Sequence, residues 1–144
     1  MPQASKMHAA QLLIKPSTAN TTLNSLSAAV DMAGFEGIRC FGICGNTTGD
    51  ALFTLYVSGS TASGGNYTTL TGASVVTTTG LADGLLAIDV YKPLTRYVKV
   101  GLHRNGANGA HGGVLVYKYG AHDVPVTNDS TSMLVAEVSV VGTT

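Results

Sequence analysis

The sequence predicts an all-β chain, a two-sheet antiparallel β-sandwich of jelly-roll or other Greek-key type with about eight strands. Composition is the first reason: 18 glycines, abundant Thr, Ser and Val, and only 11% charged residues, against about 25% in an ordinary soluble domain. Such a mixture favours short strands and turns over helices. The second reason is apolar alternation at period two along most of the chain. The third is the spacing of turn-forming clusters between those runs, without the self-similarity of a solenoid. At 144 residues one core can form without disulfide or metal staples, so a single domain over residues 1–144 is expected.

Met1 to Lys6 is polar and reads as an N-terminal arm. Met7 to Lys15 places Ala10, Leu12 and Ile14 on one side of a first strand that ends at Pro16, and Ser17 to Asn24 reads as a polar connection. Ser25 to Met32 suits a capped helical turn or a strand, and strand is preferred. Phe35 to Cys44 is apolar on both faces apart from Glu36 and Arg39, as in a central strand or one at a subunit contact. Gly45 to Asp50 has hairpin-turn composition, and Ala51 to Ser58, with Phe53, Leu55 and Val57 inward, is the expected antiparallel partner of Phe35 to Cys44. Gly59 to Gly65 is a loop, followed by a short strand or two within Asn66 to Val76.

Leu85 to Leu102 is the clearest stretch. Leu86, Ile88 and Val90 alternate with Ala87, Asp89 and Tyr91, and after a corner Val98, Val100 and Leu102 resume the pattern. Pro93 has no backbone donor and a fixed φ, so it ends the first ladder there. His103 to Gly113 reads as a hairpin tip with Val114 to Tyr119 as the return strand, and Met133 to Val141 alternates as a closing strand.

Charge and motif content exclude several functions. Formal net charge is zero and the eight Lys and Arg are scattered, so no basic stripe for nucleic acid exists. No apolar run is long enough for a signal-peptide core or a membrane span, which implies folding in the cytoplasm of the producing cell. Cys40 and Cys44 lie roughly 13 Å apart along one strand, beyond disulfide reach, and are expected as free buried thiols. His103, His111 and His122 fall in or near late loops without the spacing of a zinc site, and no D-x-D pattern supports calcium. Neither a G-x-S-x-G elbow nor an acidic pair stands out, so a non-enzymatic protein without cofactor is expected. Four N-x-S/T triplets carry no weight without a secretory signal. Outward tyrosines are the best contact anchors, since Tyr offers large area at little rotamer entropy. A neutral surface, moreover, does not oppose self-association.

Ala28 to Gly45, Leu52 to Val75 and Ile88 to Leu102 resemble a family of small structural proteins of tailed bacteriophages that includes capsid decoration, or cement, proteins. The likeness lies in an acidic strand end followed by Gly34-Phe35, in the Gly/Ser loop with its aromatic-led strand, and in the corner Lys92-Pro93-x-x-Arg96-Tyr97-Val98. The resemblance implies a jelly roll on the outer capsid of the virion, often as homotrimers, clamping neighbouring copies of the major capsid protein, with no catalytic residue to carry over. The segment after Gly120 does not match. The contact residues expected on this reading are Met7, Leu12, Ile14, Tyr91, Tyr97, Arg104, Tyr117 and Tyr119. Two other readings stay open: a carbohydrate-binding sandwich of a tail or fibre, and a head-to-tail or tail component.

Overall fold

The computed structural model describes residues 8–20, 23–47, 52–77, 84–105 and 109–123, and these contain strands and turns but no helix. No helix among the described residues is therefore long and apolar enough to cross a membrane. The strands are β1 (Ala9–Ile14), β2 (Ser17–Asn20), β3 (Leu23–Leu26), β4 (Val30–Asp31), β5 (Gly37–Thr47), β6 (Leu52–Ser60), β7 (Thr68–Val76), β8 (Leu85–Tyr91), β9 (Tyr97–Asn105) and β10 (Gly109–Tyr119). All pairings are antiparallel, in two sheets ordered β1-β10-β5-β8 and β3-β9-β6-β7. β2 prolongs β1 along β10, and β4 prolongs β3 along β9. Among the described residues ten short strands thus fill eight strand positions, the arrangement of a jelly roll.

The topology is one long antiparallel ribbon folded upon itself. Its paired arms are β1/β2 with β10, β3/β4 with β9, β5 with β8, and β6 with β7. The period-two alternation supplies the core. Phe53, Leu55 and Val57 of β6 and Val98, Val100 and Leu102 of β9 are fully buried, facing Ile38, Cys40, Leu86, Ile88, Val114 and Val116 of the other sheet. Burying each large aliphatic or aromatic side chain contributes about 1.5–3 kcal/mol.

Three expectations about strand neighbours are corrected. β5 and β6 do not form a hairpin; they lie in different sheets, as do β9 and β10. A hairpin and a sandwich crossover present the same alternation, which fixes the residues facing the core but not the strand that receives the hydrogen bonds. The polar stretch after Pro16 also contains a strand, β2, where only a connection was expected. Its lack of apolar alternation fits an edge position, where one ladder partner suffices. The expected closing strand Met133 to Val141 and the arm Met1 to Lys6 lie outside the described residues.

Two irregularities meet where β1 and β10 leave the regular ladder. Leu13 is an extra residue between Leu12↔Leu115 and Ile14↔Val114, and Gly112 one between His111↔Cys44 and Gly113↔Ile43. Gly113 takes φ +92°, and a Cβ there would sit 2.2 Å from the Ile14 carbonyl oxygen. Only glycine fits that bulge.

Candidate interaction surfaces

The connections β4–β5, β6–β7 and β8–β9 gather at one end of the sandwich, where the corner of residues 92–96 stands between the other two. Pro93 stops the β8 ladder at Tyr91, and the chain turns through Lys92 at φ +49°. That left-handed conformation costs a non-glycine residue about 1–2 kcal/mol. The corner is correspondingly well tied. Lys92 N–H donates to the Glu36 carbonyl at 2.7 Å, and Met32 N–H to the Arg96 carbonyl at 2.8 Å.

Arg96 completes the brace. Its Nε and Nη2 donate to Oδ1 and Oδ2 of Asp31 at 3.0 and 2.9 Å, a two-pronged fork across sequence-distant strands. Asp31 Oδ1 also accepts the Ala33 N–H at 2.9 Å. The Arg96 guanidinium, helped by that N–H, lowers the Asp31 carboxyl to about 2. Lys118 Nζ donates to the Asp31 carbonyl at 3.1 Å and lies 4.2 Å from the centre of the Phe35 ring. Burial pulls its ammonium below the ordinary lysine range.

At the tip of this braced turn Leu94 is 100% exposed. An open hollow lies on each side of it. One, of about 560 Å³, is lined by Met32, Phe35, Glu36, Arg96 and His122; the other, of about 590 Å³, by Asn66, Thr68, Thr69, Leu70 and Tyr91. This exposed leucine stands on a strained, cross-braced corner. Strain held by surrounding bonds is a marker of functional positions.

The outer face of the β1-β10-β5-β8 sheet is a second surface. Register places Leu12, Leu115, Phe41 and Ala87 in one row, and Ala10, Tyr117, Arg39 and Asp89 in the next. Ile43 and Leu85 pair beyond the first row, and Tyr119, Gly37 and Tyr91 form a third. Ile43, Leu85 and Leu115 are exposed. Tyr119 lies across Gly37, where a Cβ would come within 2.3 Å of its ring, and its hydroxyl donates to Asp89. Burial, then that bond to a carboxylate, raises the Tyr119 phenol to about 12. The rings of Phe41, Tyr117 and Tyr119 follow one another at 6.0 and 6.3 Å, and the Arg39 guanidinium lies 5.3 Å from the centre of Phe41.

The remaining ionisable groups of chemical interest are inside. Cys40 and Cys44 are free and buried, as expected, and burial raises their thiols to about 12 and about 11. Thiols so protonated are poor nucleophiles and poor metal ligands. His111 belongs to β10 rather than to a loop and is 3% exposed, with Nδ1 accepting the Gly113 N–H at 3.0 Å. Burial, and secondarily the Arg104 charge, hold its imidazole below the usual histidine range. The described residues contain no group of three or more His, Cys, Asp or Glu placed to hold a metal ion.

Of the contact residues expected from sequence, Leu12, Tyr117, Tyr119 and Tyr91 share the outer face of one sheet. Tyr97 opens β9 in the other sheet, its ring 5.2 Å from the Arg96 guanidinium carbon. Ile14 and Arg104 are corrections: both are buried, because the Leu13 bulge turns Ile14 inward and Arg104 follows the inward row of β9 with Leu102. Neither is available at the surface. Met7 lies outside the described residues. Leu94, Phe41, Ile43, Leu85 and Leu115 were missed. The apolar residues of β5 on its outward side were the readable signal, since Phe35 to Cys44 is apolar on both faces.

No protein-family model and no curated protein matches the chain. Among solved structures it is similar to the PBSX exported protein XepA, at 17% identity and TM-score 0.59 over 96% of this chain and 46% of that one. It thus spans a little under half the length of XepA. Bacillus endospore appendages that form disulfide-linked pili are similar at 16% identity and TM-score 0.45, over 83% of this chain and 95% of that one. At such identities the likeness to XepA shows the fold alone.

Proposed function

We propose that this chain is a non-enzymatic virion structural protein that binds the outer surface of a capsid and bridges neighbouring major capsid subunits. The observation that carries the reading is the braced corner with Leu94 wholly exposed between two hollows. An apolar anchor on a rigid turn loses little entropy on docking. Repetition over many equivalent sites on a shell converts weak single contacts into a durable coat. The same corner is part of the resemblance to phage decoration proteins. That family likeness also implies grouping in threes on the shell; of the N-terminal stretch Met1 to Lys15, Ala9–Ile14 is strand β1 of the sheet, so the residues ahead of it are left as a further point of attachment.

Co-sedimentation of purified protein with undecorated capsids tests the reading. Saturable binding with a rise in capsid heat stability is expected, and Leu94→Asp should weaken it about tenfold or more. Absence of binding at any concentration, with capsid stability unchanged, sinks the proposal. A carbohydrate-binding role is favoured by one feature, Tyr91 at 60% exposure beside a hollow lined by Asn66, Thr68 and Thr69. An aromatic face beside hydroxyl and amide groups suits a sugar ring. A glycan array that is positive for the wild type and negative for Tyr91→Ala and Tyr97→Ala would move the assignment there.

A further inference from the structure

We infer that the outer face of the β1-β10-β5-β8 sheet is the contact between two copies of this chain, packed face to face about a two-fold axis. This rests on the sheet itself and is independent of the capsid reading. No described element covers this face, and Ile43, Leu85 and Leu115 stand on it 44%, 57% and 37% exposed. Packed sheets ordinarily sit about 10 Å apart with such side chains interdigitated between them.

Composition points to a second copy as the occupant. In the rows that register places on this face the residues are aliphatic or aromatic apart from Gly37, Arg39 and Asp89, with no Lys or Glu among them. Interfaces between identical subunits share that profile, enriched in aromatics and Arg and depleted in Lys and Glu. A formal net charge of zero gives two copies no long-range repulsion to overcome.

The two charges on the face are arranged to match themselves. Arg39 on β5 and Asp89 on β8 are ladder partners, one strand spacing of about 4.8 Å apart. A two-fold axis that lays β5 of one copy over β8 of the other sets Arg39 opposite Asp89 twice, once in each direction. Isologous contacts have that reciprocity: where residue i meets j, j meets i. A partner of other composition would have to supply both an anion and a cation at that spacing. A second copy carries them by construction.

The test is native mass by light scattering on the full chain across a concentration series up to about 100 µM, a range that reveals any contact tighter than that dissociation constant. A dimer is expected for the wild type. Leu115→Glu and Ile43→Glu should each weaken it about tenfold or more. Circular dichroism and melting temperature report whether those variants remain folded. Charge reversal gives a second, independent readout: Arg39→Asp and Asp89→Arg should each be monomeric alone, and an equimolar mixture should recover the dimer, since both cross-contacts are again opposite in sign. A wild-type monomer at the highest concentration overturns the inference, whether the face is covered by this chain beyond Asp123 or reserved for a different protein. A trimer, a dimer indifferent to these substitutions, or a mixture that fails to recover overturns it equally.

Discussion

The imidazole of His111 shows how position overrides the ordinary chemistry of a residue. Nδ1 accepts a backbone N–H, so the neutral ring carries its proton on Nε2, which has no hydrogen-bond partner among the described residues. Burial and Arg104 both oppose a second proton. A folded-state pKa below the ordinary 6.5 means that the unfolded chain binds the proton more readily. Stability from this residue is therefore complete above 6.5 and is lost as pH falls from there through the lower folded value. Urea midpoints should be lower at pH 5 than at pH 7.5, and His111→Gln should flatten the difference; an unchanged slope in that variant contradicts the account. Gly113 makes a second residue-scale case. Its φ of +92° and the 2.2 Å approach of a Cβ to the Ile14 carbonyl leave no room for a side chain. Gly113→Ala should cost about 1–3 kcal/mol in equilibrium unfolding, and an unaffected midpoint would show that the bulge relaxes freely. Neither residue could be read from sequence. His111 lies in the glycine-rich run before Val114, where composition indicates a loop, and the demand on Gly113 arises from a bulge against a strand from the far end of the chain.

At the scale of elements the corner between β8 and β9 was the most legible part of the fold. Pro93 announces its start, and the alternation on either side resumes in phase with the core. Its brace was not legible, because Asp31 sits in a two-residue strand with no local mark of its distant partner Arg96. The fork makes a measurable prediction. Asp31 titrates at about 2 rather than 3.8, with hydrogen bonding to Arg96 the largest cause. Since the folded value is depressed, its contribution to stability is complete above 3.8 and disappears as pH falls through about 2. Both groups are largely solvated, at 57% and 43% side-chain exposure, so screening keeps that contribution small. In Arg96→Ala the Asp31 carboxyl, followed by NMR titration, should return most of the way toward 3.8. The cation contacts along this end, Lys92 with Tyr91 and Lys99 with Tyr67, should be unaffected. An Asp31 value that stays near 2 would assign the shift to the Ala33 N–H and the Lys118 charge instead.

For the whole molecule, alternation settles which residues face inward where the ladder is regular: the inward rows of β6, β8 and β9 follow it residue for residue, whereas in β1 the Leu13 bulge puts Ile14 on the side opposite Leu12. It does not settle strand partners, because a ribbon folded upon itself places sequence neighbours β5 and β6 in opposite sheets while joining Ala9 to Lys118. That topology sets an order of closure. The β6–β7 pair, with Ser58 opposite Thr69, closes the shortest loop, and the β1–β10 pair closes the longest. Because loop-closure entropy must be met before non-local contacts reward it, folding should be slow, in the millisecond-to-second range or longer, with the inner pair formed early. Leu55→Ala in β6 and Ile14→Ala in β1 each remove a buried aliphatic side chain, at a cost of about 2–5 kcal/mol apiece. The kinetic division of that cost should differ. Leu55→Ala acts on an element present in the transition state and should chiefly slow refolding; Ile14→Ala acts on one that docks last and should chiefly speed unfolding. Stopped-flow chevrons for the two variants decide the matter, and the reverse division would mean that the chain termini meet first and the ribbon closes from its open end.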